Sequence, residues 1–277
     1  MPDRVAIVTG GLRGLGRAMA LGLAETGVRV LAVGHLPEDV TAMQGAQNVR
    51  PMVADLRAPD ACDRVIAEAI SSFGRLDILV NNAGLTFTYI DPDRFRRDKP
   101  RKFWEVGDEV IQNVMDTNYV AADQMTRRAV AILVPQGWGR IVNVTTKLDT
   151  MNMHGSIPYG SSKAALEMAT EVWAKEIAGT GVTVNIVNPG AGANTPGMNQ
   201  EMRDWSRDGL KPRLVEPDEM VPPLRYVVSA AADGVNGYRF DALTWDLSLP
   251  PAEAGRRNGR PAGFVLHPQD EAAFPGE

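Results

Sequence analysis

In the run Tyr159-Gly-Ser-Ser-Lys163 a phenol and an ammonium stand four residues apart, a spacing that puts both on one face of a helix. A phenol that titrates at about pH 10 is a poor base near neutrality. A lysine cation beside it favours the phenolate, and such a pair can exchange a proton with an alcohol or carbonyl oxygen. Taken alone, the pattern also describes an ordinary, partly exposed helical pair, so its meaning depends on what else the chain brings to it.

A second cluster, Thr9-Gly10-Gly11-Leu12-Arg13-Gly14-Leu15-Gly16, lies between an apolar run and a helical pattern. Glycines there allow a sharp turn, close approach to a pyrophosphate and tight packing of helix on strand, with free N–H groups at the helix start. The spacing G-x-x-x-G-x-G differs from the usual dinucleotide fingerprint, and no G-K-[ST] follows, which excludes a P-loop. A plain strand-to-helix turn is the alternative. The end of the next apolar run is Gly34-His35, with no acid before Glu38, while Arg13 sits inside the turn. An acid at that strand end suits the ribose hydroxyl of NAD, and a cation suits the phosphate of NADP. The expectation is NADP(H), with Arg13 and His35 near the phosphate.

The elements needed to hold these groups follow from hydrophobic patterning. Buried strands are expected at Val5–Val8, Val28–Val33, Val49–Val53, Leu76–Val80, Gly139–Val144 and Val182–Val187. Helices are expected at Leu15–Thr26, Pro59–Phe73, Asp108–Val134 (one long element) and Tyr159–Ala178. Strands alternating with helices imply a single α/β domain, a doubly wound parallel sheet of Rossmann type, over residues 1–249. Residues 86–105 are basic and aromatic and read as an excursion from that scaffold. The basic run Arg94, Arg96, Arg97, Lys99, Arg101 and Lys102 is interleaved with acids and reads first as a solvated loop. Residues 250–277 are rich in proline and glycine and read as an extended C-terminal tail.

Composition narrows the function classes. The net charge of -5 argues against a non-specific nucleic-acid or acidic-membrane binder. A single cysteine, Cys62, forms no intrachain disulfide and fits a reducing cytoplasm. His35, His154 and His267 have no metal-ligand spacing, so no metal is expected. Val5–Val8 is too short to cross a membrane, and nothing before it resembles a signal peptide.

Over roughly residues 3–245 the ordered set of motifs resembles the short-chain dehydrogenase/reductase family. The glycine turn resembles that family's cofactor motif, with Gly10, Leu12, Arg13, Gly14, Leu15 and Gly16 in it. Asp55 and Leu56 resemble the adenine-contacting segment. Asn81-Asn82-Ala83-Gly84 matches the strand-end motif, Asn118 the helix asparagine, Tyr159 and Lys163 the catalytic pair, and Asn188-Pro189-Gly190 the segment beside the nicotinamide. The resemblance implies an NADP(H)-dependent oxidoreductase acting on a secondary alcohol or ketone. Tyr159 would exchange the proton, Lys163 would hold the ribose and depress the phenol pKa, and Asn118 would position a relay water. A homodimer or homotetramer built on the two long helices is also implied.

Two positions depart from the family pattern. Thr146, preceded by Thr145, stands where serine is usual; it keeps a hydroxyl but adds a methyl that narrows the pocket. The threonine expected near the nicotinamide amide is displaced, so that either Asn194 or Thr195 could serve. Loops 147–158 (with Met151, Met153 and His154) and 191–210 (with Met198, Met202 and Trp205) are the candidate substrate walls. The competing reading is a non-catalytic dinucleotide-binding sensor or scaffold, with a lyase or epimerase on the same frame as a further alternative.

Overall fold

The computed structural model describes residues 3–96 and 99–264. The chain runs β1 (Val5–Thr9), α1 (Gly14–Ala24), β2 (Arg29–Gly34), β3 (Val49–Val53), α2 (Ala61–Phe73), β4 (Ile78–Asn81), α3 (Phe87–Ile90), α4 (Asp108–Met115) and α5 (Ala121–Gln136). It continues with β5 (Gly139–Asn143), α6 (Leu148–Met151), α7 (Tyr159–Glu176), β6 (Val182–Asn188), α8 (Gln200–Arg207), α9 (Val221–Val227), β7 (Tyr238–Asp241), α10 (Pro251–Asn258) and β8 (Arg260–Pro261).

These strands form one sheet in the order β3-β2-β1-β4-β5-β6-β7-β8, parallel throughout except for the last pair. This is the doubly wound sheet expected from the alternation. Every residue of β1, β4, β5 and β6 is buried. Helices cover both faces, so these strands have no solvent side and read as near-continuous apolar runs. Successive residues of β1 feed opposite layers: Ala6 and Val8 pack with Met19, Leu23 and Leu224, and Ile7 packs with Val65, Met125 and Leu133. Truncating a fully buried leucine such as Leu23 or Leu133 to alanine costs about 2–5 kcal/mol.

Strand β1 pairs with β2 on one side and β4 on the other, and the chain's progress across the sheet reverses there. In such sheets the crevice at the carboxyl ends of those strands is the binding place. The glycine turn leaves β1 there, Asn82–Gly84 leave β4, Thr145–Thr146 leave β5 and Asn188–Gly190 leave β6.

Two expectations are corrected. The long helix expected over 108–134 is interrupted by a wide turn at Asp116–Val120, where the Ala121 amide reaches back five residues to the Asp116 carbonyl. A side-chain pairing that periodicity cannot register holds that turn open: Asn118 bonds the backbone of Leu85 in both directions. At 86–105 the chain leaves the repeating scaffold in short helical segments and turns. Ile90 packs with Val106 and Val114 in a small apolar cluster that also takes in Tyr159. Arg96 pairs with Glu201 of α8 at 2.7 Å, and Arg101 with Asp91 of the same segment at 3.6 Å. Arg97 lies outside the described residues. Finally, the extended tail expected from Pro250 holds instead a helix, α10, and the short strand β8, which pairs antiparallel with β7. Pro251 starts the helix, where its missing N–H leaves no bond unmade, and Ala254 is buried. Residues 265–277, with His267, lie outside the described residues.

Candidate active site

The glycine turn has the conformation its residue types allow and few others could take. Gly10 and Gly14 adopt φ of +62° and +54°. A Cβ on Gly10 would stand 2.8 Å from Asn82 Nδ2, and one on Gly16 would press on the Gly10 carbonyl. Asn82 locks the turn, donating from Nδ2 to the carbonyls of Thr9 and Gly10 at 2.9 and 3.1 Å. The Thr9 hydroxyl accepts from the amides of Asn82 and Ala83 at 3.0 and 3.1 Å, so the ends of β1 and β4 are tied together. Helix α1 then starts at Gly14 with no side-chain cap from Arg13. Its first N–H groups remain available to an anion.

Around this turn the expected residues divide. Leu12 is buried in the core and packs against Gly34, so it offers a ligand only its backbone, while Leu15 and Leu56 are half-buried, Leu15 on the same layer and Leu56 on the opposite one. Arg13 is half exposed and makes a long ion pair with Asp39, 3.7 Å from Nε to Oδ2. His35 is exposed at the end of β2. Asp55 is clasped by Arg57, which sequence reasoning passed over although it stands two residues away; the Arg57 guanidinium holds the carboxyl below its usual range, against the opposing effect of burial. Arg57 goes on to Asn113 at 2.8 Å, and Asn113 to the Tyr89 hydroxyl at 2.9 Å, linking the Asp55 segment to the excursion. Of the two residues left open after Pro189, Asn194 spends its amide on Glu216, whereas Thr195 lies beside Gly14.

Tyr159 opens α7, and Lys163 lies one turn on. Lys163 is buried and its amine donates to the Val144 carbonyl at 2.8 Å. A Cβ on Gly84 would stand 3.3 Å from Asn118 Oδ1 and 3.5 Å from Lys163 Nζ, so both groups converge on that glycine. The Thr146 side chain lies next to the Tyr159 phenol and acts to lower its pKa, while the Thr145 hydroxyl is taken by Glu167 at 3.0 Å. Tyr159, Lys163, Asn118 and Thr146 thus meet at one place, the carboxyl ends of β4 and β5. His154 is directed elsewhere, with its ring 3.1 Å from Lys102 Nζ.

Asn118 is held from both ends of its amide: Oδ1 accepts from the Leu85 amide at 2.7 Å, and Nδ2 donates to the Leu85 carbonyl and to Ser162 Oγ at 3.1 and 2.9 Å. These bonds set the wide helical turn beside the cluster. Burial pushes the Tyr159 pKa up, with Thr146 opposing the rise, and burial brings Lys163 down to about 8. The desolvation that both share sets both directions.

A glycine cradle, an uncapped helix start and a buried ammonium, grouped where a doubly wound sheet reverses, fit a dinucleotide. Among the described residues no group of three or more His, Cys, Asp or Glu is placed to hold a metal. The family described as short chain dehydrogenase matches residues 4–207. The chain belongs to the short-chain dehydrogenase family.

Its relatives in that family extend the likeness beyond the matched segment. The 3-oxoacyl-[acyl-carrier-protein] reductase of Synechocystis is 31% identical, covering 86% of this chain and 94% of its own. A single-substitution variant of the actinorhodin polyketide ketoreductase, with NADPH, superposes with a TM-score of 0.72 at 25% identity, over 84% of this chain and 93% of its own. The 3-ketoacyl-(acyl-carrier-protein) reductase of Brucella melitensis, complexed with NADH, gives a TM-score of 0.74 at 26% identity, over 87% of this chain and 96% of its own. Both nicotinamide cofactors are therefore carried by structures that this short-chain dehydrogenase resembles. The chain is an NAD(P)-dependent oxidoreductase acting on ketones or alcohols.

Sequence reasoning missed Phe87, Glu167 and Arg239. The Phe87 ring covers that of Tyr159, and Glu167 and Arg239 form an ion pair between α7 and β7 that is almost wholly buried. No motif announces them. A charged residue in the strand-like run Tyr238-Arg-Phe-Asp241 was the one available signal.

Proposed function

We propose that this short-chain dehydrogenase is an NADP(H)-dependent reductase that interconverts a ketone and a secondary alcohol. The reading is carried by the Tyr159–Thr146–Lys163 cluster at the carboxyl end of β5. The nicotinamide supplies or accepts the hydride when bound. The uncapped start of α1 with Gly10, Gly14 and Gly16 would hold the pyrophosphate, Asp55 with Leu56 the adenine end, and Asn82–Gly84, Pro189–Gly190 and Thr195 the nicotinamide half.

In the reductive direction the Tyr159 hydroxyl gives its proton to the carbonyl oxygen as that oxygen becomes an alcohol. Its raised pKa keeps the phenol protonated, and so a donor, throughout the neutral range. Thr146 holds the same oxygen from its hydroxyl. Lys163, buried on the Val144 carbonyl, would carry the ribose hydroxyls. Preference for NADP(H) rests on Arg13 beside the turn and on the absence of an acid at Gly34-His35. The half-exposed pair with Asp39 is weak enough for a phosphate to displace. A cytoplasmic homo-oligomer completes the reading, supported by the lone buried Cys62 and by the apolar Val172 exposed on α7.

Fluorescence titration with NADPH and with NADH tests the cofactor, and NADPH oxidation with simple ketones tests the chemistry, with Tyr159→Phe as the inactive control. Tighter NADPH binding that Arg13→Ala abolishes is the expected result. A preference for NADH overturns the Arg13 argument, and binding of neither overturns the oxidoreductase reading.

A further inference from the structure

Arg239 lies on β7, opposite Ile186 of β6, and its guanidinium is almost wholly buried. Nη1 pairs with Glu167 Oε1 of α7 at 2.9 Å, and Nη2 donates to the Thr146 carbonyl at 3.0 Å. The other Glu167 oxygen accepts from Thr145 Oγ1 at 3.0 Å, so the pair grips the two-threonine turn by a hydroxyl and by a carbonyl. Nη2 also lies 3.7 Å from Asp241 Oδ1. Asp241 in turn accepts from Asn188 Nδ2 at 2.6 Å, and Asn188 Oδ1 accepts from the Gly190 amide at 2.8 Å. One charged group thereby joins α7, the end of β5 and the turn after β6.

We propose that Arg239, through Glu167 and Asp241, is a positioning residue that sets the Thr145–Thr146 turn and the Asn188–Pro189–Gly190 turn in a fixed relation across the reaction centre. It touches neither the reacting atoms nor the dinucleotide site. The inference rests on the hydride-transfer reading for what those two turns do. Stability alone gives little reason to keep such a pair, because an apolar pair of similar volume usually holds a fold as well as a buried ion pair does. The planar fork accounts for the residue type: two nitrogens reach a carboxylate and a carbonyl at once, which a lysine with one nitrogen does less well.

The test compares the wild type with the double variant Glu167→Leu/Arg239→Met and with Arg239→Lys. Reduction of cyclohexanone and ethyl acetoacetate by NADPH is measured alongside backbone amide exchange. The expected result is a fall in kcat of about 10–100-fold with KM for NADPH within about twofold, since misplacement of about an ångström is enough. Exchange should accelerate at 144–148 and 188–192 together, while β1 and β4 keep wild-type protection. Unchanged kcat and exchange at both turns in the double variant would overturn the proposal, as would acceleration confined to β7 or spread over the whole sheet. If the wild type neither binds NADPH nor reduces a ketone, the hydride-transfer reading fails, and the exchange measurement still decides whether Arg239 sets the two turns.

Discussion

The Phe87 ring lies 4.7 Å from the Tyr159 ring, inclined at 48°. It comes from α3, inside the segment that departs from the repeating scaffold, and Thr88 beside it donates to the Gly197 carbonyl at 2.5 Å. The excursion therefore covers the phenol and holds the loop after β6. Phe87→Ala should admit water to Tyr159 and let its pKa fall toward the ordinary value of about 10. Alcohol oxidation, which needs the phenolate, should gain several-fold at mildly alkaline pH, while ketone reduction near neutrality, where the phenol is protonated at either pKa, should change little. Paired pH–rate profiles in the two directions check this, and coincident profiles for variant and wild type would remove the shielding role.

Lys163 is buried against the Val144 carbonyl, to which its amine donates, and desolvation brings its pKa down to about 8. An amine depressed in the folded state destabilises the fold fully below that value. Between about 8 and the unfolded value of about 10.4 the folded chain releases its proton first, and stability recovers. Lys163→Met should therefore stabilise the cofactor-free protein by on the order of 2–3 kcal/mol at pH 7 and by progressively less toward pH 10, while abolishing turnover. Urea unfolding at several pH values measures it. A variant less stable than the wild type at pH 7 would refute the desolvation argument.

Arg13 and Asp39 lie 3.7 Å apart beside the glycine turn. Arg13→Ala should weaken NADPH binding by about 10–100-fold, the worth of a charge-assisted hydrogen bond, and leave NADH nearly unchanged. Asp39→Asn frees the guanidinium and should tighten NADPH. Parallel titrations with the two cofactors decide, and equal losses for both in Arg13→Ala would place the cation away from the phosphate.

Thr146 lies next to Tyr159, and Thr145 has given its hydroxyl to Glu167. Thr146→Val keeps the shape and loses the donor, so kcat should fall by about tenfold or more. Thr146→Ser should keep the rate and widen the range of ketones accepted. A Thr145→Val variant with the larger loss of kcat would reverse the assignment.

Asp77 precedes β4 and has no exposed side-chain surface. Burial alone would push its pKa up, but Arg75, Arg4 and the Val5 amide outweigh it and hold the carboxyl below the ordinary range. A depressed carboxyl stabilises the fold above its unfolded pKa of about 3.9, and that stability is lost as pH falls through the folded value. Asp77→Asn should cost about 1–3 kcal/mol at pH 7, because the arginines left behind reach solvent, and the gap to the wild type should close in acid. Denaturant midpoints at pH 7 and pH 3 measure both.

The sequence by itself determined the first six strands of the sheet and the glycine turn, because both depend on local rules. Val5–Thr9 and Val182–Asn188 are apolar runs short enough to be only buried strands, and Gly10, Gly14 and Gly16 stand where a Cβ would collide or a positive φ is required. Helical spacing likewise put Tyr159 and Lys163 on one face. Tertiary structure decided what those residues experience. Burial, not spacing, set the direction of both pKa values. Asn118 bends its helix because Leu85 is brought to it from 33 residues away. The Arg239 strand stayed invisible to pattern because its charge is answered by Glu167, 72 residues earlier. Desolvation and long-range pairing arise only when distant segments close on one another, and no local spacing encodes them.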